Sequence, residues 1–356
     1  MIKNLKIYKK ELAEISNVEW ISWEKLNNKK LLITGASGMI GSYIVDLLLT
    51  RNELYGSHIS VYALGRNGNK LEQRFSRWRT SYLKLIEMDV TNISQDAEFL
   101  NDIDYIIHAA SNTHPKEYAC NPVDTIKTNV QGWMNLLDSQ INKLKKAKLV
   151  LLSSVEIYGE AIDNSQKFKE VDMGYINSNT LRAGYPESKR LAETLLQAYR
   201  VEHELNGVVV RLSRVYGPGV EDDDSKVMSQ FIRNALQKQD IVLKSDGKQF
   251  YSYCYIADAS LAIIKIMLDG NEGDAYNVIS PKSNRTLGEI AETLAKLVGS
   301  KVVYDIPTSI ERDGASKVTR AILVDDKYQS IGGKGYYDLE RGLKMTFQML
   351  KKGEDN

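Results

Sequence analysis

KLLITGASGMIG, residues 30–41, runs from a short apolar stretch through three glycines into a helical pattern, and its reading decides the fold. Residues 30–34 read as a buried strand and 38–50 as a helix. Between them Gly35 permits a tight turn, Gly38 lets the backbone approach a pyrophosphate, and Gly41 lets the helix pack close to the sheet. The helix N-terminus adds unpaired N–H groups and a partial positive charge, which suit phosphates. Ser37, Met39 and Ile40 lie on the same turn and are expected to line a dinucleotide together with the glycines. A glycine triplet alone is a weak signal; its place between strand and helix gives it meaning.

Outward from this turn the alternation continues. SVYALG (60–65), YLKLIEM (82–88), YIIHAA (105–110), KLVLLSS (148–154) and GVVVRLS (207–213) read as strands, and stretches around 70–77, 123–140 and 185–203 read as helices. Such alternation predicts an α/β fold: a Rossmann-type doubly wound parallel sheet covered on both faces, built by right-handed crossovers. After Tyr216 the pattern loosens into an acidic loop (217–226), a turn-rich segment (245–250), a strand running into a helix (253–268) and an amphipathic helix (286–299). The expected organisation is an N-terminal extension over 1–29, packed on the outside. An NAD(P)-binding Rossmann domain follows over 30–216 plus 250–281. A smaller C-terminal substrate-binding lobe takes 217–249 plus 282–356.

The 356 residues exceed what one minimal core needs. Lys and Arg number 47 against 46 Asp and Glu, so no overall field gathers nucleic acid or an anionic membrane, and neither is an expected partner. An anionic ligand must be held by local geometry. Cys120 and Cys254 form neither a disulfide framework nor a metal spacing. His58, His108, His114 and His203 have no ligand spacing, so no metal is expected. The N-terminus lacks a signal-peptide core, and no apolar run is long enough to span a bilayer; the expected location is cytoplasmic.

Tyr185-Pro186-Glu187-Ser188-Lys189 sets Tyr185 and Lys189 four residues apart, on one helix face. A free phenol titrates near ~10 and is a poor base at neutral pH. A neighbouring ammonium and a positive nicotinamide would favour the phenolate. Tyr185 would then remove a proton from a substrate hydroxyl as hydride leaves to the cofactor. Lys189 would also bind the nicotinamide ribose. Ser154 ends the strand at 148–154, on the carboxyl edge where ligands bind in such folds, and is expected to hydrogen-bond the reacting oxygen. Asp89 and Val90 are expected to flank the adenine, and Ala109, Ala110 and Ser111 to pass beneath the cofactor, where small residues are needed. At the second strand end, Gly65 and Arg66 stand where an NAD site usually offers a carboxylate to the ribose. Arg66 suits a 2′-phosphate or is simply solvated, so NAD and NADP both stay open.

TGASGMIG, HAAS, SSVEIYG, YPESK, RLSRVYGPG and YIADA occur in this order over about residues 30–260. With them the chain resembles the extended short-chain dehydrogenase/reductases, specifically the NAD-dependent nucleotide-sugar epimerase/dehydratase family. Segments 110–132 and 182–194 are similar to the UDP-glucuronate decarboxylases within it. The resemblance implies a nucleotide-sugar substrate oxidised transiently at C4, loss of carbon dioxide from the resulting β-keto acid, and return of the hydride. It implies Ser154, Tyr185 and Lys189 as the redox trio and Glu156 as an auxiliary carboxylate near C5. It implies Asn129 beside the active-site helix, among the cofactor contacts, and a homodimer through the helices around 123–140 and 185–203.

Four departures qualify this. Val155 stands where the dehydratases carry an aspartic acid and the decarboxylases tend to carry a hydroxyl. Tyr251 stands where the family usually has an arginine for the diphosphate or substrate. Arg214 replaces an asparagine that usually contacts the diphosphate. Gly65 and Arg66 replace the acidic strand end. The paired change points to Arg214 supplying the cation that Tyr251 cannot, with Arg312 as a second candidate; the alternative is an ion pair between Arg214 and the acidic loop 221–224. Decarboxylase, 4-epimerase and net NADP-dependent keto-sugar reductase outcomes remain open, as does a non-enzymatic dinucleotide-binding sensor.

Overall fold

A computed structural model of the chain describes residues 2–113, 120–143, 146–161, 167–219, 224–306 and 318–351. Its elements run α1 (Leu5–Ile15), β1 (Lys30–Thr34), α2 (Met39–Tyr55), β2 (Ser60–Gly65), α3 (Gly68–Phe75), β3 (Leu83–Glu87), β4 (Tyr105–His108), α4 (Pro122–Ile141), β5 (Lys148–Ser154), β6 (Lys167–Phe168), α5 (Gly184–His203), β7 (Gly207–Leu212) and β8 (Arg214–Tyr216). Then come α6 (Val227–Leu236), β9 (Ile241–Leu243), β10 (Phe250–Tyr255), α7 (Ile256–Asp269), β11 (Ala275–Val278), β12 (Asn284–Thr286), α8 (Leu287–Val298), β13 (Val302–Tyr304), β14 (Arg320–Leu323), α9 (Asp326–Ser330) and α10 (Leu339–Leu350).

Seven strands form one sheet in the order β11-β7-β5-β4-β1-β2-β3, with every neighbouring pair parallel. The reason is in the strands themselves. Every residue of β7 is buried, as are all but the first of β1, so both faces must be covered by helices. Strand order reverses between β1 and β4, and the crossovers on either side diverge there. The carboxyl ends of these two strands are therefore the switch point where doubly wound sheets bind ligands. The glycine turn, His108 and Ser154 all lie along this edge.

A second sheet runs β12-β10-β14-β6, with β8 paired to β10, and β9 pairs with β13. The chain passes between the sheets twice. It leaves the first at the end of β7 and enters the second as β8. It returns from β10 through α7, which packs on α2, β5 and β7, to β11 at the sheet edge. Segment 250–281 is therefore shared: its strand β10 lies in the second sheet, its helix and β11 in the first.

An outer strap understates the N-terminal segment. Helix α1 packs on α2 and α10, and Tyr8, Leu12 and Ile15 are buried in the main core. Glu11 is 1% exposed and accepts hydrogen bonds from Tyr43 Oη at 2.6 Å and Tyr255 Oη at 2.9 Å. Burial pushes its carboxyl up to about 7, against the hydrogen bonds from its tyrosines. Tyr8 donates to the buried Asp46, which also pairs with Arg74 and Arg77. A charged helical position normally faces water; here it ties α1 to α2 and to the second sheet.

Candidate active site

The turn after β1 is built as a cradle. Gly35 has φ +63°, the left-handed region, and a Cβ there would lie 2.7 Å from the Ala109 carbonyl oxygen. A Cβ on Gly41 would lie 2.6 Å from the Gly35 oxygen. Backbone thus presses on backbone at both positions, and Gly38 caps α2 between them. Ser37, Met39 and Ile40 are half-buried on this turn, and Ala109, Ala110 and Ser111 are half-buried at the end of β4. Ser111 Oγ and Asn129 Oδ1 are buried without a hydrogen-bond partner among the described residues. Buried polar atoms rarely stay unpaired, so these are groups a ligand can satisfy. Cradle and orphaned groups together fit a dinucleotide. Beneath them His108 stacks on Trp133, with Nδ1 2.9 Å from Thr34 Oγ1. Burial, helped by the charge of Lys189, holds its imidazole down to about 3, so it stays neutral.

Helix α5 brings the phenol and the ammonium to the same edge. Tyr185 is 8% exposed near its start, and Lys189 is 2% exposed one turn later. Lys189 Nζ donates to the Leu152 carbonyl at 2.9 Å, which docks it under the strand end that carries Ser154. Burial lowers its ammonium to about 8; the carboxylate of Glu193 pulls the other way. Ser154 is half-buried and caps the short helical turn Val155–Tyr158, its Oγ accepting from the Glu156 amide at 3.2 Å. A phenol, a desolvated ammonium and a hydroxyl at one sheet edge can move a proton to and from a substrate oxygen.

The residues expected on the substrate side, Arg214, Tyr251 and Glu156, meet in space. The Arg214 guanidinium carbon lies 3.5 Å from the ring centroid of Tyr251, and its Nη2 is 3.7 Å from Glu156 Oε1. Tyr251 Oη donates to the Val318 carbonyl at 2.6 Å. Arg312 lies outside the described residues, as do 221–223 of the acidic loop; Asp224 accepts from the Lys226 amide and Ser229 Oγ. Just beyond β2, Arg66 reaches Asp124 at 3.2 Å and Asn112 at 3.3 Å. Asp89 Oδ1 accepts from the Thr91 amide and hydroxyl, and Val90 packs against Gly132 of α4. Asn129 Nδ2 donates to Ser188 Oγ at 2.9 Å, tying α4 to α5. Among the described residues no cluster of His, Cys, Asp or Glu could hold a metal, and no helix is long and apolar enough to cross a membrane.

The profile of the NAD dependent epimerase/dehydratase family matches residues 31–278. The chain belongs to this family. Its relatives include UDP-glucuronic acid decarboxylase 3 of Arabidopsis thaliana, 34% identical over 77% of this chain and 76% of the plant protein. UDP-glucuronic acid decarboxylase 1 of Xenopus tropicalis is 28% identical over 92% of this chain and 73% of that protein. UDP-glucose 4-epimerase of Thermotoga maritima, solved with UDP-glucose, shares the fold at a TM-score of 0.76 and 22% identity, covering 90% of this chain and 98% of that one. UDP-glucuronic acid 4-epimerase of Bacillus cereus, solved with UDP-glucuronic acid and NAD, gives 0.76 at 20% identity with the same coverages. The protein is thus an NAD-dependent enzyme of the nucleotide-sugar epimerase/dehydratase family, with a Rossmann-type core.

One part of the site escapes motif reading. Behind Ser154, Ser153 Oγ donates to Glu193 Oε1 at 2.5 Å, and Arg211 reaches Glu193 at 2.7 Å and Tyr158 Oη at 2.9 Å. This buried network joins α5 to β5 and β7, and so fixes the helix that carries Tyr185 and Lys189. The signal was available: Glu193 follows Lys189 by four residues and shares its helix face.

Proposed function

We propose that the protein oxidises C4 of UDP-glucuronate transiently and decarboxylates the sugar before the hydride returns. The observation that carries this reading is the Lys189 ammonium, buried under the strand end of Ser154 and one turn from Tyr185. Similarity to the decarboxylases supports the particular outcome. Gly35, Ser37, Gly38, Met39, Ile40, Gly41, Ala109, Ala110 and Ser111 would hold NAD, with Asp89 and Val90 toward the adenine. When bound, NAD supplies the acceptor and donor of hydride. Tyr185 takes the proton of the C4 hydroxyl, Lys189 favours its phenolate, and the Ser154 hydroxyl steadies the same oxygen. A carbonyl at C4 makes the C5 carboxylate a β-keto acid, which loses carbon dioxide readily. Glu156 is the carboxyl group from which C5 then takes a proton.

A second reading, C4 epimerisation with the carboxylate retained, is favoured by Val155 and Tyr251, which lack the hydroxyl and cation expected of a decarboxylase. Incubation with UDP-glucuronate separates the two: carbon dioxide and a UDP-pentose support the first, a C4 epimer of the same mass the second. Neither product would refute both. A homodimer would use the outward faces of α4 and α5, where Val123, Ile126 and Leu191 are exposed; Trp133, Leu136 and Leu137 belong to the core. Light scattering at the mass of one chain would contradict this interface.

A further inference from the structure

We propose that Arg214, seated on the face of Tyr251, is the group that recognises a carboxylate on the sugar and makes the enzyme select hexuronates over neutral hexoses. The proposal rests on the nucleotide-sugar reading above and adds the residue that reads the sugar.

Its position follows from strand register. Ser154 pairs with Leu212, so the chain two residues beyond Leu212 emerges beside the catalytic strand end. There Arg214 begins β8 and pairs with Tyr253 of β10, bridging the two sheets. Stacking on Tyr251 fixes the plane of the guanidinium, and the ring itself is pinned through its hydroxyl to Val318. The contact from Nη2 to Glu156 Oε1 is 3.7 Å, an ion contact too long for a hydrogen bond. Nη1 is buried with no hydrogen-bond partner among the described residues. A desolvated guanidinium donor without an acceptor is costly, and an oxyanion supplied by a ligand removes that cost. A planar fork matches the two oxygens of a carboxylate. Because Glu156 follows Ser154 by two residues, its contact with Arg214 sets the guanidinium beside the strand end that carries Ser154.

The test uses NAD-loaded protein in which Tyr185→Phe blocks turnover, either otherwise wild type or with Arg214→Met, Arg214→Lys or Tyr251→Leu, and binding of UDP-glucuronate, UDP-glucose and UDP is measured by calorimetry. Arg214→Met should weaken UDP-glucuronate about 10- to 100-fold, the worth of hydrogen bonds to a charged group. It should leave UDP-glucose and UDP within about twofold of wild type. Arg214→Lys should restore part of the loss, since a point charge lacks the fork. Tyr251→Leu, which keeps the cation but frees it, should weaken UDP-glucuronate selectively and by less. It keeps the proposal testable if Arg214→Met fails to fold. Equal losses for UDP-glucuronate and UDP would overturn the proposal by placing Arg214 on the diphosphate. So would unchanged binding of all three. Wild type that binds no nucleotide sugar at all would instead refute the underlying reading.

Discussion

Lys189→Met separates the chemistry of this site from its architecture. Burial holds the Lys189 ammonium at about 8, against an ordinary 10.5. That lowering corresponds to a cost of about 3 kcal/mol for keeping the charge in the folded state. The unfolded lysine keeps its proton up to 10.5 and the folded one only to about 8. The cost is therefore complete below about pH 8 and fades as pH rises toward 10.5. Methionine fills similar space without charge. It forfeits one hydrogen bond, about 1 kcal/mol, so the variant should be about 2 kcal/mol more stable near neutrality. Its kcat/KM should nevertheless fall by about 10²- to 10⁴-fold, the usual worth of acid–base catalysis. In wild type the ammonium is about nine-tenths charged one pH unit below its pKa and about one-tenth charged one unit above. Wild-type kcat/KM should therefore decline with a midpoint at or below about 8, and Lys189→Met should lack that limb. Glu193→Gln removes the charge that opposes the effect of burial and should move the limb to lower pH. Product formation from UDP-glucuronate across the pH range, with urea denaturation of each variant, checks all of this. An alkaline limb near 10.5, a limb that survives in Lys189→Met, or a variant that unfolds more readily than wild type would refute the reasoning.

Other outcomes follow from the same geometry. Gly35→Val combines a left-handed backbone with a Cβ 2.7 Å from the Ala109 oxygen. It should purify without dinucleotide, measured in the supernatant after denaturation; cofactor retained at the wild-type level would contradict the cradle. Glu11 is raised from 4.5 to about 7 by burial, so its folded form keeps a proton that the unfolded chain releases. The stability this provides is complete below about pH 4.5 and lost as pH rises through 7. Glu11→Gln cannot ionise, and its Tm should change less than wild type between about pH 5 and about pH 8. Parallel Tm curves would show that Glu11 is not ionising inside the core.

Much of the fold is written locally. The sequence places strands at 30–34, 60–65 and 148–154, and β1, β2 and β5 have those bounds. A parallel strand covered on both faces must be a contiguous apolar run, and turns bracket it. Helix ends are less legible. The helical pattern at 38–50 extends in fact to Tyr55: the apolar run ends at Thr50, but Arg51, Asn52 and Glu53 carry the helix on until Gly56 stops it in the left-handed region. Long-range contacts are not local properties at all. Arg214 meets Tyr251 only because β8 lies alongside β10, and neither segment announces that pairing. Glu11 reads as a solvent-facing charge until Tyr43 and Tyr255 close over it from α2 and β10. Spacing singles out residues 35–41, 185 and 189, and a strand end singles out Ser154, whereas the network of Ser153, Glu193 and Arg211 requires the packed sheet.

Transient oxidation at C4 by a cofactor that never leaves is tested most directly with UDP-glucuronate deuterated at C4. The expected result is product that still carries deuterium at C4, formed without accumulation of reduced nicotinamide. Product stripped of the label at C4, or no turnover by enzyme shown to hold NAD, would contradict the proposed chemistry.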